Sequence, residues 1–338
     1  MNNYHLYEEI GHGKHSTVYK GRRRGTIEYV AIKSIDKSKR SRVLTEVSIS
    51  SDLIKPSDQS QGSRNVCLLH NWYETRNHLW IVSEYCAGGD LARVLKEDEK
   101  ILPESQLRSL AAEIVNGLIQ MHACGIVFAD LKPSNVLFTE SGTVKLSGFS
   151  VSQRLSELES ALSENKQVPR RGSPFYMAPE LFLESGCHSF SSDIYALGVV
   201  LFEMTCGRTP YSSCTTFADL QRSVLATTVL TPELSEGSEE LRHLVARMLV
   251  KDPSDRIMWT ELVAHPLWRD VADAARWKRV VDSHISTPES RFRQSFLITR
   301  MSLVSRRRGS SYDASVRGKE SRSVTPTYAA RITRSARG

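Results

Sequence analysis

The sequence predicts an α+β protein with two lobes, an antiparallel β amino-terminal lobe with one main helix and a mainly helical carboxyl-terminal lobe. Near the amino terminus, short apolar runs are separated by turn-forming segments. From residue 103 onward, apolar residues instead recur every three or four positions, which is the helical period. A chain of 338 residues is also long enough for two such lobes and a tail.

The amino-terminal lobe opens with a strand meander between Tyr4 and Asp36. Its strands include the apolar run at 29–32, and the turn-forming stretches GHGKHS and RRRGT separate them. A helix is predicted over Arg42–Leu53, because apolar residues there share one face. Apolar segments at Val66–Trp72 and His78–Val82 predict two further strands.

The second lobe is predicted to be helical. A long helix begins near Pro103 and ends before Gly125, and these residue types are common at helix starts and ends. Residues 193–204 are apolar on nearly every side, which indicates a helix buried inside the lobe. Segments 239–250 and 260–268 complete the helical set.

These patterns divide the chain into an amino-terminal lobe with a hinge (1–86), a helical lobe (87–270) and an extension (271–338). Beyond about residue 285, Ser, Arg and Thr dominate and no apolar period survives, so we expect disorder. Residues 291–338 hold twelve Arg or Lys and two acidic residues, which accounts for the net charge of +7. Such a segment is able to bind acidic protein tails, nucleic acid or membrane phosphates. Alternatively, it only keeps the protein soluble. No specific nucleic-acid module is recognised.

The six cysteines form no CxxC pair and show no spacing typical of zinc sites. Nothing resembling a secretory leader precedes them, so we interpret them as reduced packing residues of a cytoplasmic protein. The longest apolar run, Tyr195–Met204, is well short of the roughly 20 residues that span a bilayer. No transmembrane segment is therefore expected.

A glycine-rich stretch, IGHGKHSTV at 10–18, joins the first two strands. Its glycines permit a tight turn over an anionic group, although a plain glycine turn has the same appearance. VAIK at 30–33 follows on a later strand, and Glu46 lies on the next helix. Together they predict a phosphate-binding cleft that Lys33 reaches. Each residue alone has a simpler interpretation: Lys33 as a solvated lysine at the end of a strand, and Glu46 as a carboxylate on the surface of a helix.

The loop after the long helix reads GIVFADLKPSNVLF and carries Asp130, Lys132 and Asn135 at D-x-K-x-x-N spacing. Phosphoryl transfer uses an aspartate to orient the acceptor hydroxyl and take its proton, a lysine near the phosphoryl group, and an asparagine for metal. A polar surface loop would rarely hold all three between apolar strands. We therefore assign Asp130 and Lys132 as candidate catalytic residues.

These motifs, together with GSPFYMAPE at 172–180, resemble the eukaryotic protein kinases over roughly residues 4–270. The resemblance implies the two-lobed kinase fold, ATP as cofactor and a protein substrate. It also implies that Glu180 pairs with a buried Arg256, and that Asp193 braces the catalytic loop. Lysine at the second motif position favours serine or threonine acceptors.

The segments YEEIGHGKHSTVYKG and NHLWIVSEYCAGGDL are similar to the Fused and unc-51-like group of serine/threonine kinases. The similarity is strongest to the fourth unc-51-like member and the plant Runkel kinases. Members of this group are linked to microtubule structures, such as flagella or the division apparatus. The resemblance therefore implies protein substrates or scaffold partners and an association with microtubules or other cytoskeletal elements.

By the same resemblance, Val18 and Ala31 enclose the adenine, while Glu84 and Cys86 bind its edge through their backbone. Asn135 is the remaining expected ligand for Mg²⁺. The residues expected around the nucleotide are Ile10, Gly11, His12, Gly13, Lys14, His15, Ser16, Thr17, Val18, Ala31, Lys33, Glu46, Glu84, Cys86 and Asn135.

The chain departs from the kinase pattern at Gly148, which stands where the DFG motif has its metal-binding aspartate. That carboxylate normally helps to hold the Mg²⁺ that bridges the β- and γ-phosphates. A loss of about 4 kcal/mol of metal assistance slows transfer roughly a thousandfold. In addition, Phe128 and Ala129 replace the His-Arg pair before Asp130, so a phosphate on the activation loop would lack its usual arginine partner.

Three functions remain open at this point. The domain is an ATP-binding pseudokinase with weakened or lost phosphotransfer, a working serine/threonine kinase with unusual metal handling, or a nucleotide-free scaffold. Retention of Lys33, Glu46 and the glycine stretch disfavours the scaffold. Lys14, between His12 and His15, is either a solvated lysine or a positive charge that replaces the metal.

The segment at 152–171 also has two interpretations. Its leucines at helical spacing predict a short amphipathic helix across the cleft, and its many polar residues fit a mobile loop equally well.

Overall fold

A computed structural model describes residues 3–13, 16–54, 64–97, 102–226, 234 and 236–299. Its amino-terminal lobe is a five-stranded antiparallel sheet with the strand order β1-β2-β3-β5-β4. One helix, α1, connects β3 to the β4–β5 hairpin. The elements of this lobe are β1 (Tyr4–Gly13), β2 (Ser16–Arg23), β3 (Tyr29–Asp36), α1 (Arg40–Ile54), β4 (Leu69–Glu74) and β5 (His78–Glu84).

The second lobe is mainly helical and contains two small two-stranded sheets, β6-β9 and β7-β8. The predicted α+β architecture is therefore confirmed. The elements of this lobe are α2 (Leu91–Glu97), α3 (Glu104–Ala123), β6 (Ile126–Val127), β7 (Val136–Phe138), β8 (Val144–Leu146), β9 (Gln153–Arg154), α4 (Leu155–Ser163), α5 (Phe190–Cys206), α6 (Phe217–Leu225), α7 (Glu239–Met248), α8 (Trp259–Leu262) and α9 (Ala274–Val280).

Helix α1 packs against both lobes. Val43 joins a cluster with Ile35 of β3 and Leu79 of β5, so α1 covers one face of the sheet. Ile49, two turns further along, belongs to the hydrophobic core of the helical lobe. The helix also packs against the 3-10 turn Phe149–Val151, which follows β8. The position of α1 is therefore set from both sides of the cleft.

The core of the helical lobe is built around α3 and α5. Helix α5 is apolar around its circumference because other elements cover it on nearly every side, as the sequence predicted. At its start, the Ser189 hydroxyl accepts a hydrogen bond from the backbone N–H of Ser192, and the Ser192 hydroxyl oxygen accepts one from the backbone N–H of Ser189. Gly207 ends the helix with a φ of +67°, a conformation that glycine adopts readily.

The predicted pair between Glu180 and Arg256 is present and buried. The guanidinium group donates to both carboxylate oxygens, at 2.8 and 2.9 Å. The same guanidinium group also donates to the backbone carbonyls of Val250 and Ser191. This pair ties the end of the GSPFYMAPE segment to the loop before α8.

The segment at 152–171 contains a helix, α4, rather than only a loop. Leu155 and Leu158 are buried in the core of the helical lobe, and Leu162 packs against that core. The expected amphipathic pattern is therefore present, with its apolar side directed into the helical lobe.

The expectation of disorder beyond about residue 285 is wrong for residues 288–299, which form a further helix, α10. Leu297 is fully buried, and Phe296 and Ile298 pack against the same core. Thr287 precedes the helix and accepts a hydrogen bond from the backbone N–H of Ser290. The composition that suggested disorder concealed these three apolar residues.

The extension predicted to begin at residue 271 is likewise part of the helical lobe in its first portion. Trp277 of α9 is buried and packs edge-on against Trp268, with ring centroids 5.6 Å apart. The basic, serine-rich residues 300–338 lie outside the described residues. All six cysteines lie in the described ranges, and none of them forms a disulfide bond there. Within the described ranges, no helix has the length and hydrophobicity needed to cross a membrane.

Candidate active site

The cleft between the lobes contains an ion pair between Lys33 of β3 and Glu46 of α1. The Lys33 Nζ atom lies 2.9 and 3.0 Å from the two carboxylate oxygens. Glu46 is only 7% exposed, so its charge is compensated mainly by this lysine. The pair fixes the lysine amine at the edge of the cleft, where it is able to meet an anionic ligand.

The glycine stretch forms the end of the β1–β2 hairpin. Gly11 pairs with Val18, and Gly13 pairs with Ser16. A β-carbon at Gly13 would lie 2.9 Å from the Ser16 hydroxyl oxygen, so the absence of a side chain there serves the tight hairpin itself. The side chain of His12 is exposed and contacts Glu9. Ile10 and Thr17 lie on the same two strands.

Lys14 and His15 lie outside the described residues. The position of the Lys14 amine relative to the cleft therefore stays a prediction from sequence.

The hinge follows β5. Ala31 of β3 lies opposite Ser83 in the strand register, next to the hinge residue Glu84. The Glu84 carboxylate pairs with Lys145 of β8 at 3.0 Å and accepts a hydrogen bond from the backbone N–H of Leu68. The sequence did not predict the contact of Lys145 with Glu84, because the two residues are 61 positions apart. This pair links the hinge to the strand that precedes Gly148.

Cys86 also lies in the hinge, and the buried Cys67 lies close to it. A hydrogen bond from the Cys67 thiol lowers the pKa of Cys86. The same interaction, together with burial, raises the pKa of Cys67.

The catalytic-loop residues predicted from the D-x-K-x-x-N spacing lie together. Lys132 Nζ is 3.0 Å from Asp130 Oδ2, and the Asn135 side-chain amide donates to the same oxygen at 3.2 Å. Asn135 also donates to the backbone carbonyl of Asp130 at 2.8 Å. Within the described part of the chain, the other carboxylate oxygen, Oδ1, is buried and has no hydrogen-bond partner. That oxygen therefore keeps a hydrogen-bonding capacity that no described residue uses.

A further contact comes from Ser173, which sequence reasoning did not single out. Lys132 Nζ donates to its hydroxyl at 2.7 Å, which joins the catalytic loop to the GSPFYMAPE segment. The sequence motif that contains Ser173 was recognised, but the contact of Ser173 with Lys132 becomes visible only in the folded protein.

The backbone of the catalytic loop is held by Asp193 of α5. Its carboxylate accepts from the backbone N–H groups of Phe128 and Ala129, at 2.7 and 2.9 Å. His122 Nε2 lies 2.8 Å from the same carboxylate, while Trp259 donates to His122 Nδ1, which leaves Nε2 as the donor. Ala129 has a φ of +69°, an unfavourable conformation that these hydrogen bonds stabilise.

Gly148 lies beside Asn135. Its backbone is left-handed, with φ +86° and ψ +46°, and a β-carbon built there would lie 2.8 Å from Asn135 Oδ1. Across the described ranges, no group of three or more His, Cys, Asp or Glu side chains could hold a metal ion. Mg²⁺ in phosphoryl-transfer sites is usually held by one or two carboxylates together with phosphate oxygens. With one amide oxygen and a glycine, this edge of the cleft does not fit such a site.

Comparison with known proteins places these features in a family. The protein kinase domain family matches residues 4–268. The chain is 45% identical over 80% of its length to serine/threonine-protein kinase RUNKEL of Arabidopsis thaliana, and 35% identical over 80% of its length to serine/threonine-protein kinase ULK4 of Mus musculus. It is 32% identical over 77% of its length to serine/threonine-protein kinase ULK3 of Xenopus laevis.

The matched regions cover 19% of RUNKEL, 22% of ULK4 and 54% of ULK3, so the chain spans about a fifth of the first two relatives. The match to the family extends through both lobes and includes the cleft, the catalytic loop and the buried Glu180–Arg256 pair. The chain belongs to the protein kinase family, within the unc-51-like and Runkel group of serine/threonine kinases.

Proposed function

We propose that the domain binds ATP in the cleft between its lobes and that its transfer of phosphate to serine or threonine is weakened or lost. The observation that carries this proposal is the contrast between the two sides of the cleft. On one side the Lys33–Glu46 pair is formed. On the other side, Gly148 leaves Asn135 without the neighbouring carboxylate that metal binding requires.

Nucleotide binding is supported by the residues that remain. The amine of Lys33 is fixed by Glu46 at the cleft and carries a positive charge for phosphate oxygens. Val18 lies opposite Lys33 in the strand register, and Ala31 lies next to the hinge, where both are able to contact the faces of a base. These contacts need no metal ion, so affinity for ATP survives the change at position 148.

Transfer depends more strongly on the missing group. Mg²⁺, when bound in kinases, neutralises the charge that develops on the phosphates. In this chain Gly148 supplies no carboxylate to hold that ion, and the two described lysines nearest the phosphate and catalytic positions, Lys33 and Lys132, do not replace it as metal ligands. The residues therefore favour binding of ATP over stabilisation of the transition state.

A working serine/threonine kinase is the second candidate, and one specific observation favours it. Asp130 Oδ1 is buried and unpaired among the described residues, while Oδ2 is held by Lys132 and Asn135. This is the arrangement expected of a base that accepts the proton of a substrate hydroxyl. In this case the loss at Gly148 slows the chemical step without abolishing it.

A single-turnover assay with labelled ATP and a mixed serine/threonine peptide library tests these candidates. It compares wild type with Asp130→Asn in Mg²⁺, in Mn²⁺ and in EDTA, and calorimetry measures ATP affinity under the same conditions. ATP binding that persists in EDTA, with transfer at the level of Asp130→Asn, supports the main proposal. Transfer that Asp130→Asn removes supports the second candidate. Absence of ATP binding under all conditions refutes both.

We further propose that the domain works in the cytoplasm with protein partners and that microtubules are among them. The resemblance to the Fused and unc-51-like group and the basic charge of residues 291–338 support this. Because residues 291–299 belong to α10, the test deletes residues 300–338 only. Co-sedimentation with microtubules that is equal with and without this segment contradicts a role for the basic tail.

A further inference from the structure

The position of α1 determines whether Lys33 keeps its partner. Glu46 lies near the middle of α1, and Lys33 lies on the sheet. An outward shift of α1 by a few ångströms would break a contact that is now 2.9 Å long. In many kinases such a shift is under the control of phosphorylation. The contacts that hold α1 in place therefore govern the nucleotide site.

One such contact comes from Arg154 of β9. Its Nε atom donates to Asp52 Oδ2 at 2.9 Å, and Nη2 donates to the same oxygen and to the hydroxyl of Ser48 at 2.7 Å. Ser48 and Asp52 are four residues apart, so they lie on the same face of α1, one turn above the other. The remaining Nη1 group donates to Glu157 at 2.9 Å. Arg154 thus makes contacts with two successive turns of α1.

The strand that carries Arg154 is itself fixed. Arg154 pairs with Ile126 in the β6–β9 sheet, immediately before the catalytic loop. The backbone N–H of Leu155 donates to the carbonyl of Gly125 at 2.8 Å. The Arg154 and Asp52 side chains are 27% and 24% exposed, so solvent screens their attraction less than that of a fully exposed pair. Hydrogen bonding to Asp52 raises the pKa of Arg154.

The usual arginine before the catalytic aspartate is absent, because Ala129 occupies that position. A phosphate on the activation segment therefore lacks that partner for ordering the segment against α1. Arg154 makes the corresponding connection directly, through carboxylate and hydroxyl groups that are present in the unmodified chain.

We propose that Arg154 is a positioning residue that holds α1 against β9 through Asp52 and Ser48, and so keeps Glu46 on Lys33 without phosphorylation. The consequence for the nucleotide rests on the proposed function, whereas the effect on α1 does not. Loss of Arg154 releases α1, lowers the population with the Lys33–Glu46 pair formed, and reduces affinity for ATP in proportion.

The test compares Arg154→Gln, Asp52→Asn and the double variant in the unphosphorylated protein. Hydrogen exchange of the α1 amides measures how readily this helix opens locally, which rises when its contacts with β9 are lost, and the measurement needs no ligand. We expect faster α1 exchange in both single variants and an ATP affinity lowered about tenfold, in line with loss of charge-assisted hydrogen bonds. The double variant resembles each single one, since one contact is removed in all three. Arg154→Lys keeps the positive charge, so its α1 exchange rate and its ATP affinity should lie between those of wild type and Arg154→Gln.

Arg247→Gln is the matched control, because it removes another arginine–carboxylate pair, with Glu261, on the helical lobe. If Arg154→Gln changes α1 exchange no more than this control does, the proposal is wrong. The same conclusion follows if the two single effects add in the double variant. If wild type binds no ATP, the proposed function fails, and α1 exchange alone decides the role of Arg154.

Discussion

A β-carbon at Gly148 would lie 2.8 Å from the side-chain oxygen of Asn135. The backbone at Gly148 is also left-handed, a conformation in which most side chains are strained. Restoring an aspartate at this position therefore has a structural cost, separate from any chemical gain. The two effects need to be measured apart.

A pair of variants, Gly148→Asp and Gly148→Asn, separates them. Both introduce a side chain of the same shape, so each should lower the free energy of unfolding by about 1–2 kcal/mol. Only the aspartate supplies a carboxylate, so only this variant should show ATP affinity that rises with Mg²⁺. Chemical denaturation and calorimetry with and without Mg²⁺ provide the measurements. An equal Mg²⁺ response in the asparagine variant contradicts the role assigned to the carboxylate.

Removal of one partner from the buried Glu180–Arg256 pair should destabilise the domain strongly. The two side chains are 3% and 0% exposed, so Glu180→Ala leaves a buried cation without its counter-charge. We expect a loss of about 3–5 kcal/mol in urea denaturation. The double variant Glu180→Leu with Arg256→Met should recover much of it. A double variant as unstable as Glu180→Ala would contradict this account.

Acidification should destabilise the fold through His188. Burial lowers the pKa of this side chain below its usual 6.5, although Asp193, Glu180 and Asp130 and the hydrogen bond to the Arg171 carbonyl oppose the shift. Below about pH 6.5 His188 binds a proton more readily in the unfolded chain than in the folded chain, so the free energy of unfolding falls as pH falls. Above that pH the contribution of His188 is complete.

The variant His188→Gln keeps a donor for the Arg171 carbonyl but does not titrate. Its free energy of unfolding should fall less than that of wild type between pH 7 and pH 5, as measured by urea denaturation at several pH values. Parallel curves for the two proteins would show that His188 is not responsible.

Helix α10 offers a comparison of two apolar residues on one short helix. Leu297 is 0% exposed, whereas Phe292 is 73% exposed. Leu297→Ala should lower the free energy of unfolding by about 2–5 kcal/mol, because it opens a cavity in the core. Phe292→Ala should change it by about 0.5 kcal/mol or less. Equal effects in the two variants would mean that α10 does not pack as described.

Elements with a clear period were predictable from the sequence. The apolar residues of α3 recur at helical spacing up to Gly125, and α5 is apolar on all sides because it is buried on all sides. The grouping of Asp130, Lys132 and Asn135 was also predictable, since six residues of one loop hold all three. In each case the information is local.

Contacts between distant segments were not predictable in this way. Arg154 pairs with Asp52 across 102 positions, and neither residue has a neighbour in sequence that indicates the other. Lys132 reaches Ser173 only because the loop and the later segment fold together. Leu297 was assigned to a disordered tail because charged and hydroxyl residues outnumber the apolar ones around it. One buried leucine hardly changes the amino-acid composition of a segment, so composition alone does not indicate that the segment is packed.

The hydrogen bonds from the catalytic loop to Asp193 extend the active site into the interior of the protein. Asp193 belongs to α5 and lies some 60 residues from the amides of Phe128 and Ala129 that it holds. A change in this interior carboxylate would alter the direction in which Asp130 points, although no residue of the cleft is itself substituted. Substitutions found in α5 of this chain should therefore be considered alongside those in the cleft when an inactive variant is interpreted.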